Sequence, residues 1–569
     1  MTMIKVINMV ARAKVGFLVD DLSVSAYTHD WIKFVEERNE FDSPVIITGY
    51  RREVGSVGFV SKLKKILKGK NVISSINTVL YYFLYKLISV IEFKRANFQY
   101  SKYGRSVSID RNRYDLIEVC GKWSSSGLVV RFQSEDIEKI RELDLDVIVR
   151  CGSGILKGDI LKSSKFGVFS FHHGDNRVNR GGPSGFWEVI NRESSSGFTL
   201  QQLTEELDGG RVIMRGNTTT KPFWFLNNAH LLEKSQYFMK KALLDVSNRT
   251  LKFENEVFLY DNVLYKHGSF SVLLKYMFVV YSPSIFNRLR RVFSGYKDLK
   301  WHVAFKEGNN LNDSLFRYTS VDNPTGRFLA DPFLVTNGSK HYCFVEDYFY
   351  SEHKGKVSVL EFDKGSYKFL GVILDEPFHL SFPYVFESEG EHYLVPESSE
   401  NRQIRLYKAI DFPMKWKLEE VILNDVAAVD TCILKKDGMW YMLTNICSSD
   451  IGDASAELHV YYSNDLINGK WLPISSGNPV VFDSRKARNA GLFQREGKIY
   501  RVNQVQDIGH YGKSFAINEV VNLSKDSYEE REVTSVQAKF KEDIVSTHHF
   551  HCSDYYKVLD YATLEKNSK

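Results

Sequence analysis

The segments His341–Asp347 (HYCFVED), Glu391–Ser398 (EHYLVPES), Met439–Asn445 (MWYMLTN) and Lys498–Gln504 (KIYRVNQ) set the fold of the second half of this chain. Each is a short aromatic and β-branched run with the composition of a packed strand. Each follows a glycine turn: Asn337-Gly338, Glu389-Gly390, Asp437-Gly438 and Glu496-Gly497. Ahead of these turns, strands open on Ala330-Asp331-Pro332-Phe333, Ser381-Phe382-Pro383-Tyr384, Val429-Asp430-Thr431 and Asn489-Ala490-Gly491-Leu492. A fifth landmark is Thr547-His548-His549-Phe550. Counted from Asp331, Pro383, Asp430, Ala490 and His548, the spacings are 52, 47, 60 and 58 residues. A unit of about 50 residues holding four strands is a propeller blade, so five landmarks predict five blades. The last unit is short, and Trp301–Phe305 (WHVAF) is expected to supply its missing strand. Ring closure of that kind removes exposed sheet edges.

The first half alternates strand and helix signals instead. Lys14–Asp20 reads as a buried strand, Ala26–Glu37 as a helix, and Val45–Thr48 (VIIT) as a second strand. Further strands are expected at Leu116–Val119, Leu128–Phe132, Leu145–Arg150, Gly167–Phe171 and Gly197–Leu203. Helices are expected at Ile137–Leu143 and Ile155–Leu161. The alternation predicts an α/β, doubly wound parallel sheet, with its ligand crevice outside the carboxyl ends of the strands. Between the halves, Phe270–Phe293 carries helical spacing and reads as a connecting helix. The layout is therefore an α/β domain over 12–240, a helical linker over 241–299 and an all-β five-bladed propeller over 300–569.

Composition narrows the function classes. With 43% hydrophobic and 25% charged residues, the 569-residue chain is a folded globular protein rather than a disordered or fibrous one. A net charge of +5 is too mild for a dedicated nucleic-acid binder. Six scattered cysteines with no CxxC pair read as reduced core residues, not a disulfide framework or a metal site. The N-terminus lacks a signal-peptide pattern, so a cytoplasmic location is expected. The basic run Lys62–Lys70 (KLKKILKGK) beside the apolar Val79–Ile91 leaves two readings open. One is a helix packed on its domain with a solvated basic loop, and the other is a peripheral contact at the inner face of a membrane.

The densest polar cluster is Phe169–Trp187, FSFHHGDNRVNRGGPSGFW. It follows a buried strand, so Ser170 and His172 share one side and His173 faces the other. Such polar density at the expected crevice points to chemistry, and a well-satisfied loop with buried histidines is the competing reading. Asp208-Gly209-Gly210 suits a tight turn that brings Asp208 toward the histidines.

Ser170-Phe171-His172, Arg180-Gly181-Gly182-Pro183, Ser196-Gly197-Phe198-Thr199 and Leu207-Asp208-Gly209-Gly210 together resemble the catalytic domain of the folate-dependent formyltransferases. The resemblance implies a Rossmann-like domain that uses 10-formyltetrahydrofolate as co-substrate. It implies His172 and Asp208 as the catalytic pair, with Ser170 where the family has Asn. Gly152, Gly154, Ile155 and Leu156 fit the loop beside the folate. His173, Asp175, Asn176 and Arg180 are then the substrate-facing groups, and no metal is implied. The expected activity is formylation of an amino sugar, nucleotide- or lipid-linked, in surface polysaccharide biosynthesis.

The second half resembles the five-bladed arabinanase and β-xylosidase type of glycoside hydrolases. It is still more similar to the propeller attached to plant glucosamine inositolphosphorylceramide transferases. The residues that carry this are Ala330-Asp331-Pro332-Phe333, Phe382-Pro383-Tyr384, Pro396-Glu397-Ser398 and Asp430. The resemblance implies carboxylate roles for Asp331 and Asp430, with Glu397 or Glu346 as the third acid. Asp331, Glu397 and Asp430 are accordingly expected to bind substrate. The alternative to formyl transfer is a glycan-processing transferase or hydrolase centred on the propeller, its first domain a degenerate formyltransferase.

Overall fold

The computed structural model describes residues 12–51, 72–96, 102–207, 209–255, 258–265, 269–294, 297–448 and 453–566. The chain divides into two compact units. One comprises Met1–Arg192, Ser196–Asn217 and Lys221–Val280, and the other is chiefly Tyr281–Lys569.

The first unit is built on a seven-stranded sheet of β1 (Val15–Leu18), β2 (Val45–Thr48), β3 (Asp115–Glu118), β4 (Val147–Arg150), β5 (Val168–His172), β6 (Ser195–Gln202) and β7 (Arg211–Thr219). Its order is β3-β2-β1-β4-β5-β6-β7. Pairing is parallel from β3 through to β5, and β6 joins β5 antiparallel. β1 and β2 are buried along their whole length, which is why VGFL and VIIT read as continuous apolar runs. Gly16 is needed because a Cβ there would sit 2.7 Å from the Leu145 side chain. The helices are α1 (Ala26–Glu36), α2 (Val72–Arg95), α3 (Ser134–Glu142), α4 (Trp224–Ser247) and α5 (Phe270–Ser294), besides a short turn at Trp187–Asn191. Ser25 caps α1, its Oγ accepting from the Thr28 N–H at 3.1 Å.

Two expected elements differ from those observed. Val129–Phe132 does not join the main sheet but forms a small one with Gly121–Trp123 and Ile155–Leu156. Its one-sided burial suits an edge layer, not a doubly covered centre. Ile155–Leu161 is not a helix: Ile155–Leu156 is a strand and Asp159–Lys162 a 3-10 turn. Gly154 and Gly158, both at positive φ, bracket a stretch too short to nucleate an α-helix. The basic run Lys62–Lys70 lies outside the described residues.

The second unit is a ring of five sheets. Blade one runs from Arg327 to Leu374, blade two from Ser381 to Asn424, blade three from Ala428 to Phe482 and blade four from Asn489 to Gln537. Each of these is a series of antiparallel strands. The fifth blade combines both ends of the unit. Strand β8 (Lys297–Glu307) pairs antiparallel with Tyr556–Lys566 along its full length, from Lys297↔Lys566 to Glu307↔Tyr556. The expectation that WHVAF closes the ring is met, and Phe305 stacks on Phe362 of blade one at 4.4 Å. Glu389-Gly390, Asp437-Gly438 and Glu496-Gly497 have positive φ at both positions. That is the two-residue hairpin turn whose twist matches the flanking strands.

Candidate functional site

The landmarks of blades one to three turn out to be β-bulges. In blade one the register steps from Ala330↔Glu346 to Phe333↔Phe344. Blade two steps from Ser381↔Glu397 to Tyr384↔Val395, and blade three from Val429↔Asn445 to Cys432↔Leu443. The bulged residue sits at positive φ each time: Asp331 at 49°, Phe382 at 44° and Asp430 at 52°. The residue equivalent to the two aspartates is thus Phe382, one before Pro383. A bulge re-aims a side chain, and Asp and Asn tolerate this backbone region better than most residues.

Opposite the three bulges stand Glu346, Glu397 and Asn445. Asn445 is consumed by structure: its Nδ2 donates to Glu457 O at 2.9 Å and Ala487 O at 2.8 Å, and its Oδ1 accepts from Asn489 N at 2.8 Å. Blades one and two carry a carboxylate at the same place. Glu397 accepts from Ser399 Oγ at 2.8 Å, and Glu346 faces His379 Nε2 at 3.5 Å.

The fifth blade adds histidines. Asp560 Oδ1 accepts from the backbone N–H groups of His548 and His549, each at 3.0 Å. Its Oδ2 lies 2.8 Å from His548 Nδ1, and the other ring nitrogen of His548 is 3.4 Å from Asp331 Oδ1. Asp331 Oδ2 accepts from Phe382 N at 3.2 Å. The result is a buried relay Asp560–His548–Asp331. These three are also the one group with metal-ligand spacing among the described residues, with ligand atoms within 4.8 Å of one another. Asp560 and His548 Nδ1 already spend their lone pairs and proton on each other and on backbone, so the set is held together by its own hydrogen bonds.

Asp430 is held from the opposite side. Its Oδ2 accepts from Arg488 Nε at 2.6 Å and Gln504 Nε2 at 3.4 Å, and the guanidinium lies 5.0 Å over the Tyr511 ring. The environments separate the acids. Asp331 is held down to about 2, because burial is outweighed by the facing His549 and His548 rings and the Phe382 N–H. Burial, then the charges of Asp331, Glu397 and Asp560, raises Glu346 well above the carboxylate range. Asp430 is raised to about 7 by burial, against the pull of Arg488 and with the push of Glu397 and Asp331. Carboxyl groups whose environments push their pKa values apart are the arrangement that separates base and acid roles. The expected residues Asp331, Glu397 and Asp430 are thus drawn into one electrostatic cluster.

Sequence reasoning missed two members, His548 and Asp560, and left Glu346 as one of two choices for the third acid. His548 was visible only as a blade marker. Asp560 had a usable signal: an acid inside the apolar run KVLDYATL is costly unless it is paired.

The first-unit residues are arranged differently. A cavity of about 930 Å³ opens at the carboxyl ends of β1 and β4, where the strand order reverses. Asp20, Trp123, Arg150 and Ser153 line it, together with Gly154 and Ile155. Gly152 is required there, since a Cβ would meet Tyr50 Oη at 1.9 Å, whereas Leu156 is buried in the core. The other expected groups are engaged locally. Ser170 Oγ accepts from Arg150 Nη1 at 3.1 Å. His173 lies 3.3 Å from Ser235 Oγ, and burial with the neighbouring His172 lowers it to about 4. Asp175 takes a two-pronged contact from Arg177, with both shortest distances 2.9 Å. The buried Asn176 accepts at its backbone oxygen from Asn262, and the Arg180 guanidinium lies over Tyr260 at 5.2 Å. His172 ends β5 with its ring against Gly174, where a Cβ would come 2.8 Å from Nε2. Asp208 lies outside the described residues.

Residues 316–566 match the family described as glucosamine inositolphosphorylceramide transferase 1, N-terminal. This match is the propeller. Over 234 residues the chain is 38% identical to glucosamine inositolphosphorylceramide transferase 1 of Arabidopsis thaliana, covering 39% of this chain and 30% of the relative. The Oryza sativa subsp. japonica protein of the same name is 36% identical over 208 residues, covering 36% of this chain and 27% of the relative. The chain thus spans less than a third of the length of these curated relatives. Among solved structures, the catalytic domain of a Coprinopsis cinerea GH62 α-L-arabinofuranosidase aligns with a TM-score of 0.32 at 11% identity, over 46% of this chain and 97% of that one. A glycinamide ribonucleotide transformylase 1 from Symbiobacterium toebii aligns with a TM-score of 0.27 at 13% identity, over 43% and 92%. Likenesses at such scores carry no argument.

These findings correct the formyl-transfer expectation. The relatives are named as glucosamine inositolphosphorylceramide transferases, not formyltransferases, so neither that activity nor 10-formyltetrahydrofolate is assigned. The geometry offers a physical reason. Ser170 stands where an Asn amide was needed as donor, and its hydroxyl oxygen is turned to Arg150 as an acceptor.

Proposed function

We propose that the protein is a glycan-processing transferase whose reacting centre is the carboxylate–histidine cluster of the propeller. The first unit is then a doubly wound, Rossmann-like partner domain. The observation that carries the reading is the bulge that sets Asp331, held low, beside Glu346, pushed up, inside a propeller that matches the family described as glucosamine inositolphosphorylceramide transferase 1. Sugar transfer to a hydroxyl needs a base to take the acceptor proton and an acid to protonate the leaving oxygen. Asp331 fills the first role, supported by the His548–Asp560 relay, and Glu346 fills the second. Asp430, Arg488 and Glu397 hold the sugar. The proposed substrates are an activated glucosamine-type sugar and a lipid-linked inositol phosphate acceptor.

The test is incubation of the full chain with an activated hexosamine and an inositol-phosphate lipid, with the product detected by mass. A glycosylated lipid is expected, and its absence across a panel of activated hexosamines would count against the reading. The rate should fall as pH rises past about 7, where Asp430 gives up its proton and adds charge to a crowded acidic centre. Asp430→Asn should remove that alkaline limb. The sign is opposite for Asp331 and acid stability. Its depressed pKa contributes stability that is present above the unfolded value near 4 and is lost as pH falls toward about 2.

A further inference from the structure

Helix α2 is apolar nearly all round, yet only one of its faces is used by the fold. Leu84, Ile88 and Glu92 are buried against the first unit. On the other side Ile76, Leu80, Phe83, Leu87 and Val90 recur at helical spacing and are exposed by 49%, 37%, 64%, 38% and 59%. This stripe from Ile76 to Val90 runs for about 21 Å at 1.5 Å per residue. An exposed apolar face of that length on a soluble domain marks an interaction surface.

Length and composition alone would let Ile76–Arg95 cross a bilayer, but its attachment argues that it lies flat. Glu92 Oε2 accepts from Phe225 N at 2.9 Å at the start of α4, and its Oε1 accepts from Tyr276 OH at 2.6 Å. Tyr276 Oη in turn accepts from Trp224 N at 2.7 Å. Tyr85 packs edge-on to both Trp224 and Phe225. Spanning would tear this carboxylate from a helix N-terminus and place it in hydrocarbon.

We infer that the exposed face of α2 docks the protein on an anionic lipid surface. Charge chooses this occupant. Glu92 is the one acid in the helix and it points inward, whereas Lys86, Lys94 and Arg95 are exposed. In the sequence, five lysines at Lys62, Lys64, Lys65, Lys68 and Lys70 precede the helix. Aromatic and aliphatic residues bounded by cations are the composition of an interfacial helix. A second copy of the chain would set this cationic face against itself. The inference stands apart from the proposed transferase activity, because no propeller residue enters it.

The experiment is co-sedimentation of the full chain with vesicles of phosphatidylcholine alone, or of phosphatidylcholine mixed with phosphatidylserine. Binding to the mixed vesicles is expected, weakened by salt. The double variant Phe83→Glu/Leu87→Glu should lose more than about tenfold in partitioning while keeping its melting temperature. Lys86→Glu, at an exposed position, should weaken binding to the anionic vesicles and spare the fold. No sedimentation of the wild-type chain, or undiminished binding by all these variants, would overturn the inference. So would a concentration-dependent dimer in light scattering that the double variant dissolves, since that outcome assigns the face to a second copy.

Discussion

Asp331→Asn is expected to lower sugar transfer by roughly 10²–10⁴-fold, the range for losing a general base. Asn suits the test because it is nearly isosteric and tolerates the φ of 49° at this bulge. Its Oδ can still accept from the Phe382 N–H, as Asp331 Oδ2 does at 3.2 Å. What disappears is the negative charge opposite His548. A depressed kcat with little change in KM, in a variant that melts like the wild type, would match a role in the reacting state. If kcat were unchanged, Asp331 would be a blade-to-blade tie and nothing more.

Arg501→Ala should destabilise the propeller by about 3–5 kcal/mol, the cost of stripping one partner from a buried ion pair. Arg501 has no exposed surface, and its guanidinium meets Glu530 twice, at 2.7 and 2.6 Å. It also donates to Lys486 O at 2.6 Å and to Ala487 O and Asn489 Oδ1 at 3.2 Å each. Alanine would leave Glu530 charged under the blade and unpair those acceptors. The pair Arg501→Met/Glu530→Gln should recover part of the loss, because replacing both partners removes the orphaned charge. Urea titration followed by near-ultraviolet circular dichroism reads both effects. A loss below about 1 kcal/mol for Arg501→Ala, the range of an exposed pair, would contradict this account.

Much of the architecture could be read before any coordinates, because its signals are local. A two-residue glycine hairpin and an aromatic strand declare themselves within a dozen residues, so the blades and the closing role of Trp301–Phe305 were visible. The site was less so. Whether the residue facing a bulge is Glu346 or Asn445 matters only once the register pairs them with Ala330 and Val429. The relay from Asp560 to Asp331 joins residues 229 apart in sequence, which no pattern reveals. In the first unit the motif around His172 was clear as a polar cluster, but motif spacing could not show Ser170 turned toward Arg150. Ile155–Leu161 was misread because its apolar run gave no weight to the flanking glycines. Helix α2 was ambiguous for a different reason: its two apolar faces look alike in sequence, and only packing distinguishes the one that is used.

The most direct test of the central claim is one transfer assay run on two variants, Glu346→Gln in the propeller and His172→Ala in the first unit. The account predicts that Glu346→Gln abolishes glycosylated-lipid formation while His172→Ala retains it. Retained turnover in Glu346→Gln with loss in His172→Ala would place the chemistry in the α/β unit and contradict the account.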